Sequence, residues 1–309
     1  MTMTTTPPYR FGVSEFTTWP WSFEQDVETY ARLRVETIEV CEFKLDEDEG
    51  RAAEQLALVG AHGLAISSVQ PAVRTLYPSQ TQPDPRDVRA RVARFRATIE
   101  RVAPFAPAAP FVCNTGIPPH GNIQEVYDAS VREYRALAEF AQEHGVRVAL
   151  EPLNAAIMNV ESAIWTLAQA MRIVAAVDHD AFGICLDVWN IWQNADILGE
   201  IEACGDRIFV VQLSDWRTPR SFDDRLIVGQ GEIPLPPLLR AIHTGGYRGA
   251  YSVEIFSRDV PDALWDADLS WVITESRDGF ERAWREALAP GPASSPPVPL
   301  VSGQEGRGL

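Results

Sequence analysis

Three acidic residues and one amide each follow a short apolar run in the second half of the chain. They are, with the run that each one ends, Glu151 (VRVALE), Asp187 (FGICLD), Gln212 (IFVVQ) and Glu254 (AYSVE). Buried carboxylates are rare unless they are paired or bound to a metal, so four such positions need a common partner. A single acid of this kind could equally cap the next helix or pair with an arginine. Four in consecutive strands favour an oxygen-ligated divalent cation, and these four residues are predicted to bind Mn²⁺ first, or Mg²⁺.

The elements around these residues alternate between strand and helix. Predicted strands cover 10–14, 36–42, 64–70, 111–114, 146–151, 182–187, 208–212 and 250–254, and predicted helices cover 23–33, 50–61, 86–103, 122–144, 162–177, 194–203 and 235–243. If 262–288 closes the ring, this pattern predicts an α/β fold, a single (β/α)8 TIM barrel over 9–288 with a C-terminal helical extension. Residues 1–8 and 289–309 are predicted to be a disordered lead-in and a disordered tail rich in Pro, Ser and Gly.

Composition limits the classes of protein that this chain can belong to. Its 309 residues, 46% hydrophobic and 23% charged, are typical of a soluble protein with one large core. The first residues, MTMTTTPPYR, do not have the pattern of a secretion signal, and we expect neither a membrane span nor a membrane partner. The four scattered cysteines are interpreted as reduced thiols of a cytoplasmic protein. The net charge of −16, with Lys44 as the only lysine, makes nucleic acid an unsuitable partner.

The barrel assignment sorts the histidines, because active sites in this fold lie at the carboxyl ends of the strands. His62, His144, His179 and His243 end helices just before strands, which assigns them to the opposite face. His120, in the loop NTGIPPHGN, falls on the active face and is predicted to be a proton carrier. The alternative is an exposed loop histidine with no role in catalysis.

Tryptophans are concentrated in the loops predicted on the active face. Trp19, Trp189 and Trp216 are expected to bind substrate, together with neighbouring Phe16, Trp21 and Trp192. Such side chains suit stacking on a sugar ring or an aglycone better than binding a bare phosphate. The alternative is that they pack a lid or a dimer contact.

Five segments, taken in order and spacing, resemble one known family. ALEPLN, CLDVWN, VVQLSDWR, GQGEIPLPPLL and YSVEIF resemble the sugar phosphate isomerase/epimerase family of the xylose isomerase-like TIM barrels. The resemblance implies that Glu151, Asp187, position 212 and Glu254 hold the metal. It further implies that Glu151 and Glu254 are the catalytic acid/base pair, as in ketose 3-epimerases, and that Arg217 orients the substrate.

The chain departs from that family at three positions. Gln212 stands where the family usually has His, Asn190 where ketose epimerases place His three residues after the Asp, and Asn114 where many relatives carry His. Asn114 and Asn190 are therefore expected to bind substrate without carrying protons. A site without these imidazoles has lost proton carriers, so ketose epimerisation follows less directly than the fold does.

The expected chemistry is proton abstraction next to a carbonyl through a metal-stabilised enediolate, by an isomerase or epimerase of carbohydrate metabolism acting on a ketose or keto-sugar. Elimination from the same enediolate gives a lyase as the alternative. Such lyases include the barrel subunit of C-glycoside deglycosidases, which acts on 3-keto glycosides, and dehydratases of inosose or 3-dehydroshikimate. A non-catalytic binding barrel is a further alternative. The expected partners are a small-molecule sugar or keto-sugar, and either a second copy in a homo-oligomer or a small partner subunit.

Overall fold

The computed structural model describes residues 9–218 and 223–289 of the chain. The predicted lead-in 1–8 and residues 290–309 of the predicted tail lie outside these residues. Within the described ranges, no helix combines the length and the apolar character needed to cross a bilayer.

Eight parallel strands form a closed barrel in which each strand pairs with the next and the last pairs with the first. They are β1 (Arg10–Ser14), β2 (Thr37–Cys41), β3 (Ala65–Gln70), β4 (Pro110–Cys113), β5 (Arg147–Leu150), β6 (Phe182–Asp187), β7 (Ile208–Leu213) and β8 (Ala250–Val253). The predicted TIM barrel is confirmed, and every predicted strand limit lies within one residue of the observed one.

Helices surround this barrel and follow the strands along the chain. They are α1 (Phe23–Arg32), α2 (Glu49–Ala61), α3 (Val88–Val102), α4 (Ile123–Glu143), α5 (Leu167–Val177), α6 (Val188–Ile191), α7 (Ile197–Cys204), α8 (Leu235–Thr244) and α9 (Leu269–Leu288). Helix α9 closes the ring, as the pattern requires. Its Phe280 ring lies 4.8 Å from that of Tyr9, and its Arg277 Nη1 donates to the carbonyl of Leu33 at 2.8 Å.

Helix α5 begins five residues later than the sequence predicted, and Ser162 does not cap it. Thr166 and Gln169 form a reciprocal capping box, in which the Thr166 hydroxyl accepts from Gln169 N at 3.1 Å and the Gln169 Oε1 accepts from Thr166 N at 3.0 Å. The Ser162 hydroxyl donates instead to the carbonyl of Ile164 at 2.8 Å. The loop after β5 is longer by this difference, and it borders the site described below.

Two irregularities in the sheet aim polar side chains at the carboxyl end of the barrel. The pairing of β2 with β3 shifts between Ile38 and Glu39, which places Glu39 beside Ser68. The pairing of β6 with β7 shifts between Ile184 and Cys185, after which Asp187 lies opposite Gln212. An extra residue in one strand re-aims the side chains that follow it, so both shifts determine which polar groups meet.

Candidate active site

Three carboxylates meet at the carboxyl end of the barrel. Glu151, Asp187 and Glu254 are all buried, and one oxygen of each lies within 4.8 Å of the others. The backbone N–H of Glu151 donates to the carbonyl of Cys113, and that of Glu254 to the carbonyl of Leu213, both at 2.9 Å. The strand ladder therefore continues into these two residues, which fixes where their side chains begin.

Two asparagines hold Glu151. Asn114 Nδ2 lies 3.2 Å from Glu151 Oε2, and Asn190 Nδ2 lies 2.9 Å from Glu151 Oε1 and 2.8 Å from Asp187 Oδ2. Both asparagines, which the sequence predicted to bind substrate, are buried and donate to the carboxylates. Asn114 also lines the cavity above them.

Arg225 lies inside the carboxylate cluster, and the sequence did not indicate this residue. Its Nη1 is 2.9 Å from Asp187 Oδ2 and 2.9 Å from Glu254 Oε2, while its side chain is only 5% exposed. The guanidinium carbon lies 4.7 Å from the ring centre of Trp189 and 4.7 Å from that of Phe256. Arg225 is thus a buried cation packed against two aromatic rings, and it pairs with two of the three carboxylates at once.

Arg217 does not reach this site, although the resemblance assigned it to substrate. Its side chain is half exposed, and its Nη2 pairs with Asp262 Oδ2 at 2.8 Å. The nearby carboxylate of Asp215 accepts the backbone N–H groups of Gly229, Gly231 and Ile233 at 2.9 to 3.0 Å. The backbone N–H of Arg225 donates to the carbonyl of Phe256 at 2.8 Å, and Leu226 pairs with Asp215 through both backbone groups, which holds Arg225 at the carboxyl end of the barrel.

Gln212 is buried beside Glu254 and faces it with its amide nitrogen. The Nε2 donates to Glu254 Oε1 at 2.8 Å and to Glu39 Oε1 at 2.9 Å, while the Oε1 accepts from Cys185 Sγ at 3.1 Å. Ionised carboxylates can only accept hydrogen bonds, so the nitrogen must face the two acids. In this arrangement Gln212 is a donor that orients Glu254, whereas the sequence predicted a metal ligand.

Glu39 is a fourth buried acid that the ligand prediction left out. It accepts from Ser68 Oγ at 2.7 Å and lies behind Gln212. Glu42, three residues later, accepts from Thr98 Oγ1 at 2.7 Å on the outer side of β2. Successive side chains along a strand alternate between its two faces, so positions 39 and 42 point to opposite sides of β2.

His120 is exposed and lies outside the cavity, in contrast to the predicted role as a proton carrier. It sits in a single turn, Pro119–Gly121, with a φ of 52°. The alternative reading, an exposed loop histidine, fits this position, and no histidine of the described residues lines the cavity.

A cavity of about 610 Å³ opens above the carboxylates. Glu151, Glu254, Arg225 and Asn114 form its polar floor. A group of rings, called the aromatic wall below, extends from this floor to the mouth and comprises Phe16, Trp19, Phe43, Phe256 and Trp265. Trp189 also lines the cavity, whereas Trp216 lies behind it with ring centres 5.1 Å apart. Of the three tryptophans predicted to bind substrate, two therefore reach the cavity.

Burial dominates the electrostatics of the carboxylates. Burial, reinforced by the charge of Asp187, raises the pKa of Glu151 to about 8. Burial also raises the pKa of Glu254 and that of Asp187, while the Arg225 guanidinium acts in the opposite direction on both. The cluster therefore favours either bound protons or a bound cation.

The three carboxylates fit a hard divalent cation. Two oxygens on opposite sides of a cation, each bound at about 2.0–2.6 Å, lie about 4–5 Å apart, and the three carboxylate oxygens here lie within 4.8 Å of one another. All three donors are oxygens, as Mn²⁺ or Mg²⁺ requires. The position of the Arg225 guanidinium shows that the cluster already accommodates positive charge.

Residues 27–275 match the sequence model of the xylose isomerase-like TIM barrels. Among curated proteins, the chain is 31% identical over 137 residues to an inosose isomerase of Halalkalibacterium halodurans, covering 43% of this chain and 47% of that protein. It is 32% identical over 139 residues to a 3-dehydroshikimate dehydratase of Pseudomonas putida, covering 41% of this chain and 20% of that protein. The chain thus aligns with about half of the length of the first relative and with a fifth of the second.

Solved structures share the fold at lower sequence identity. Protein SMc04130 of Sinorhizobium meliloti superposes with a TM-score of 0.78 at 22% identity, covering 89% of this chain and 98% of that one. IolI with a bound zinc atom gives 0.72 at 19%, covering 91% and 99%. D-psicose 3-epimerase of Clostridium cellulolyticum H10 with D-tagatose gives 0.70 at 20%, covering 90% and 99%.

Proposed function

Since this chain belongs to the xylose isomerase-like TIM barrel family, we propose that it is a divalent-metal-dependent isomerase or epimerase of a ketose or keto-sugar. The observation that carries the proposal is the convergence of Glu151, Asp187 and Glu254, of which Glu151 and Glu254 line the cavity. Arg225, the one cation paired with the cluster among the described residues, carries one positive charge against three buried acids, so the cluster has negative charge left for a cationic ligand. The names of the relatives, inosose isomerase and D-psicose 3-epimerase, are consistent with keto-sugar chemistry.

The two glutamates are the acid and base of the proposed reaction. A divalent cation held by Glu151, Asp187 and Glu254 would supply Lewis acidity at the substrate carbonyl. One glutamate removes the proton from the carbon next to the carbonyl, and the enediolate that results is reprotonated by the other. Return of the proton to the opposite face of the same carbon gives an epimer, and delivery to the neighbouring carbon gives an isomer.

The neighbours of each glutamate suit these roles. Asn114 and Asn190 donate to the two oxygens of Glu151, while Gln212 and Arg225 donate to the two oxygens of Glu254. Each carboxylate is therefore held in a fixed orientation, and no histidine of the described residues lines the cavity. In this arrangement the positions of the two glutamates determine from which face of the substrate carbon the proton is removed and to which face it is returned. No imidazole takes part.

Arg225 takes the substrate-orienting role that the resemblance had given to Arg217. A cation bound by Asp187 and Glu254 would replace the two ion pairs that Arg225 makes with them. The guanidinium, which packs against Trp189 and Phe256, is then available to a substrate oxygen. Its Nε, which is buried and has no hydrogen-bond partner among the described residues, is a further donor for that purpose.

A lyase is the second candidate. The likeness to a 3-dehydroshikimate dehydratase and the lack of histidine among the described cavity residues favour it. Elimination needs a base next to the carbonyl and a β-leaving group, and the enediolate is common to both reactions. The same glutamates would serve, so the products must separate the two candidates.

Solvent exchange tests the proposal. The Mn²⁺-loaded protein is incubated in D₂O with a panel of ketoses, inososes and 3-keto glycosides, and deuterium and products are followed by mass spectrometry and NMR. We expect deuterium in an epimer or isomer, and a loss of about 10²–10⁴ in rate in the Glu254→Gln variant. An eliminated product would establish the lyase instead. Absence of exchange with every compound, in protein that binds the metal, would leave a non-catalytic barrel and overturn the proposal.

A further inference from the structure

The cavity is larger than a sugar ring requires. Its volume is about 610 Å³, in the middle of the range of about 300–1,000 Å³ that proteins use for drug-sized ligands. A free monosaccharide is smaller than the drug-sized ligands to which that range applies. Part of the cavity would therefore stay unfilled if a free monosaccharide were the whole ligand.

The aromatic wall extends without a break from the reaction centre to the mouth. The Arg225 guanidinium lies against Phe256, whose ring centre is 4.7 Å from that of Phe16. Phe16 lies parallel to Trp19 at 6.2 Å, and Trp19 is stacked on Trp265 at 5.7 Å with planes 13° apart. The ring faces thus follow one another outward from the carboxylates.

The outer part of this wall is exposed to solvent. Trp19 is 43% exposed and Phe43 is 39% exposed, and their ring centres are 4.6 Å apart. Both line the cavity. Exposed apolar surface that is continuous with a reaction centre marks a ligand-binding surface. Ring faces of this kind bind planar groups by offset stacking.

We propose that the substrate carries a planar, largely apolar substituent next to its sugar or cyclitol ring, and that this substituent stacks on Trp19 and Phe43. The proposal rests on the function proposed above, because the sugar ring must lie over Glu151 and Glu254 for the substituent to reach the wall. It names an aryl-substituted keto-sugar or keto-glycoside as the substrate class. Polar groups of the ring face the floor, and the substituent fills the outer half of the cavity.

The test compares two probes that differ only in the substituent. Binding of phenyl β-D-glucopyranoside and methyl β-D-glucopyranoside to the Mn²⁺-loaded protein is measured by isothermal titration calorimetry. We expect the phenyl glycoside to bind about tenfold more tightly, equivalent to about 1.4 kcal/mol. Equal affinities, or no binding of either probe, would overturn the proposal.

Variants locate the effect on the wall. Trp19→Ala and Phe43→Ala are expected to remove the preference for the phenyl probe. Trp271→Ala is the matched control, because Trp271 is 46% exposed but lies on helix α9 away from the cavity. A preference that persists in Trp19→Ala, or that is lost equally in Trp271→Ala, would contradict the proposal.

Two readouts separate this inference from the proposed function. If no substrate exchanges deuterium but the phenyl glycoside still binds more tightly than the methyl glycoside, the proposed function is contradicted and the aromatic subsite is supported. Sedimentation velocity detects the other occupant of such a wall, a second copy of the chain. A dimer that dissociates in Trp19→Ala would show that the wall is an interface, and would overturn the substrate assignment.

Discussion

At the scale of single residues, the site is controlled by which positive charge lies between Asp187 and Glu254. In this structure that charge is the Arg225 guanidinium, with both carboxylates 2.9 Å from the same nitrogen. Hydrogen bonds to charged groups contribute about 1.5–3 kcal/mol each, so a metal must overcome a substantial interaction before it binds. Metal binding and the Arg225 ion pairs therefore compete.

This competition gives a prediction for the Arg225→Gln variant. We expect it to bind Mn²⁺ roughly tenfold or more tightly than wild type, because no ion pair has to be broken. Turnover of substrate should nevertheless fall, since the variant loses the group to which the proposed function gives the orientation of the substrate. Calorimetric titration with Mn²⁺ and steady-state kinetics measure the two effects.

Arg258→Gln is the matched control for that variant. Arg258 lines the same cavity but is half exposed and pairs with Asp223 rather than with the carboxylate cluster. Its removal takes the same charge from the mouth of the cavity, and long-range repulsion alone would affect both variants alike. Mn²⁺ affinity in Arg225→Gln that is equal to or weaker than that in Arg258→Gln would refute the competition.

The sequence identified the acids at the strand ends but not their partners. Glu151, Asp187 and Glu254 could be predicted because each directly follows or ends a strand, where the fold itself fixes the position. Arg225 is placed by backbone hydrogen bonds, from its own N–H to Phe256 and between Leu226 and Asp215. The orientation of the Gln212 amide depends on Glu39, which comes from a strand far away in the chain. Such contacts between distant segments leave no local pattern.

At the scale of elements, strands were predicted more accurately than helix starts. Apolar runs that end in an acid or a proline define the limits of strands, and all eight were located within one residue. Helix α5 was misplaced because Ser162 and Thr166 are both good N-cap residues. Only Thr166 is followed three residues later by a glutamine that completes a capping box, a signal that was present in the sequence.

The Thr166→Ala variant tests the start of helix α5. Loss of the cap should lower the free energy of unfolding by about 0.5–2 kcal/mol, measured by urea denaturation. Thr274→Ala in helix α9 is the matched control, because its exposed hydroxyl bonds only to the carbonyl of Ser270 within the same helix. That control should be neutral or slightly stabilising, since alanine is the better helix former. Equal destabilisation of both variants would mean that the cap contributes nothing.

At the scale of the whole molecule, the buried acid cluster makes the free energy of unfolding depend on pH, and the proposed metal would change that dependence. Glu151 has an ordinary pKa of 4.5, raised to about 8 by burial in the folded state. The folded protein therefore holds a proton that the unfolded chain has released above about pH 4.5. The stability that this proton provides is complete below that pH and is lost as the pH rises towards 8.

We therefore expect the chelator-treated protein to lose stability between pH 5 and pH 8. A single titrating group changes the free energy of unfolding by at most about 1.4 kcal/mol per pH unit. A plot of the free energy of unfolding against pH should therefore be shallower for the Glu151→Gln variant, by up to that amount. Added Mn²⁺ should restore wild-type stability at pH 8, because it binds the ionised carboxylates of the folded state only. Urea denaturation at a series of pH values measures both effects. An identical slope in wild type and variant would show that Glu151 titrates normally.

The most direct measurement is anomalous diffraction from crystals of the Mn²⁺-loaded protein. We expect one strong manganese peak in contact with carboxylate oxygens of Glu151, Asp187 and Glu254, with the Arg225 guanidinium moved off Asp187 and Glu254. The amide nitrogen of Gln212 should still face Glu254. If crystals grown at saturating Mn²⁺ show no manganese peak at this position, and Arg225 is still paired with both carboxylates, the assignment of a metal centre to this barrel is contradicted.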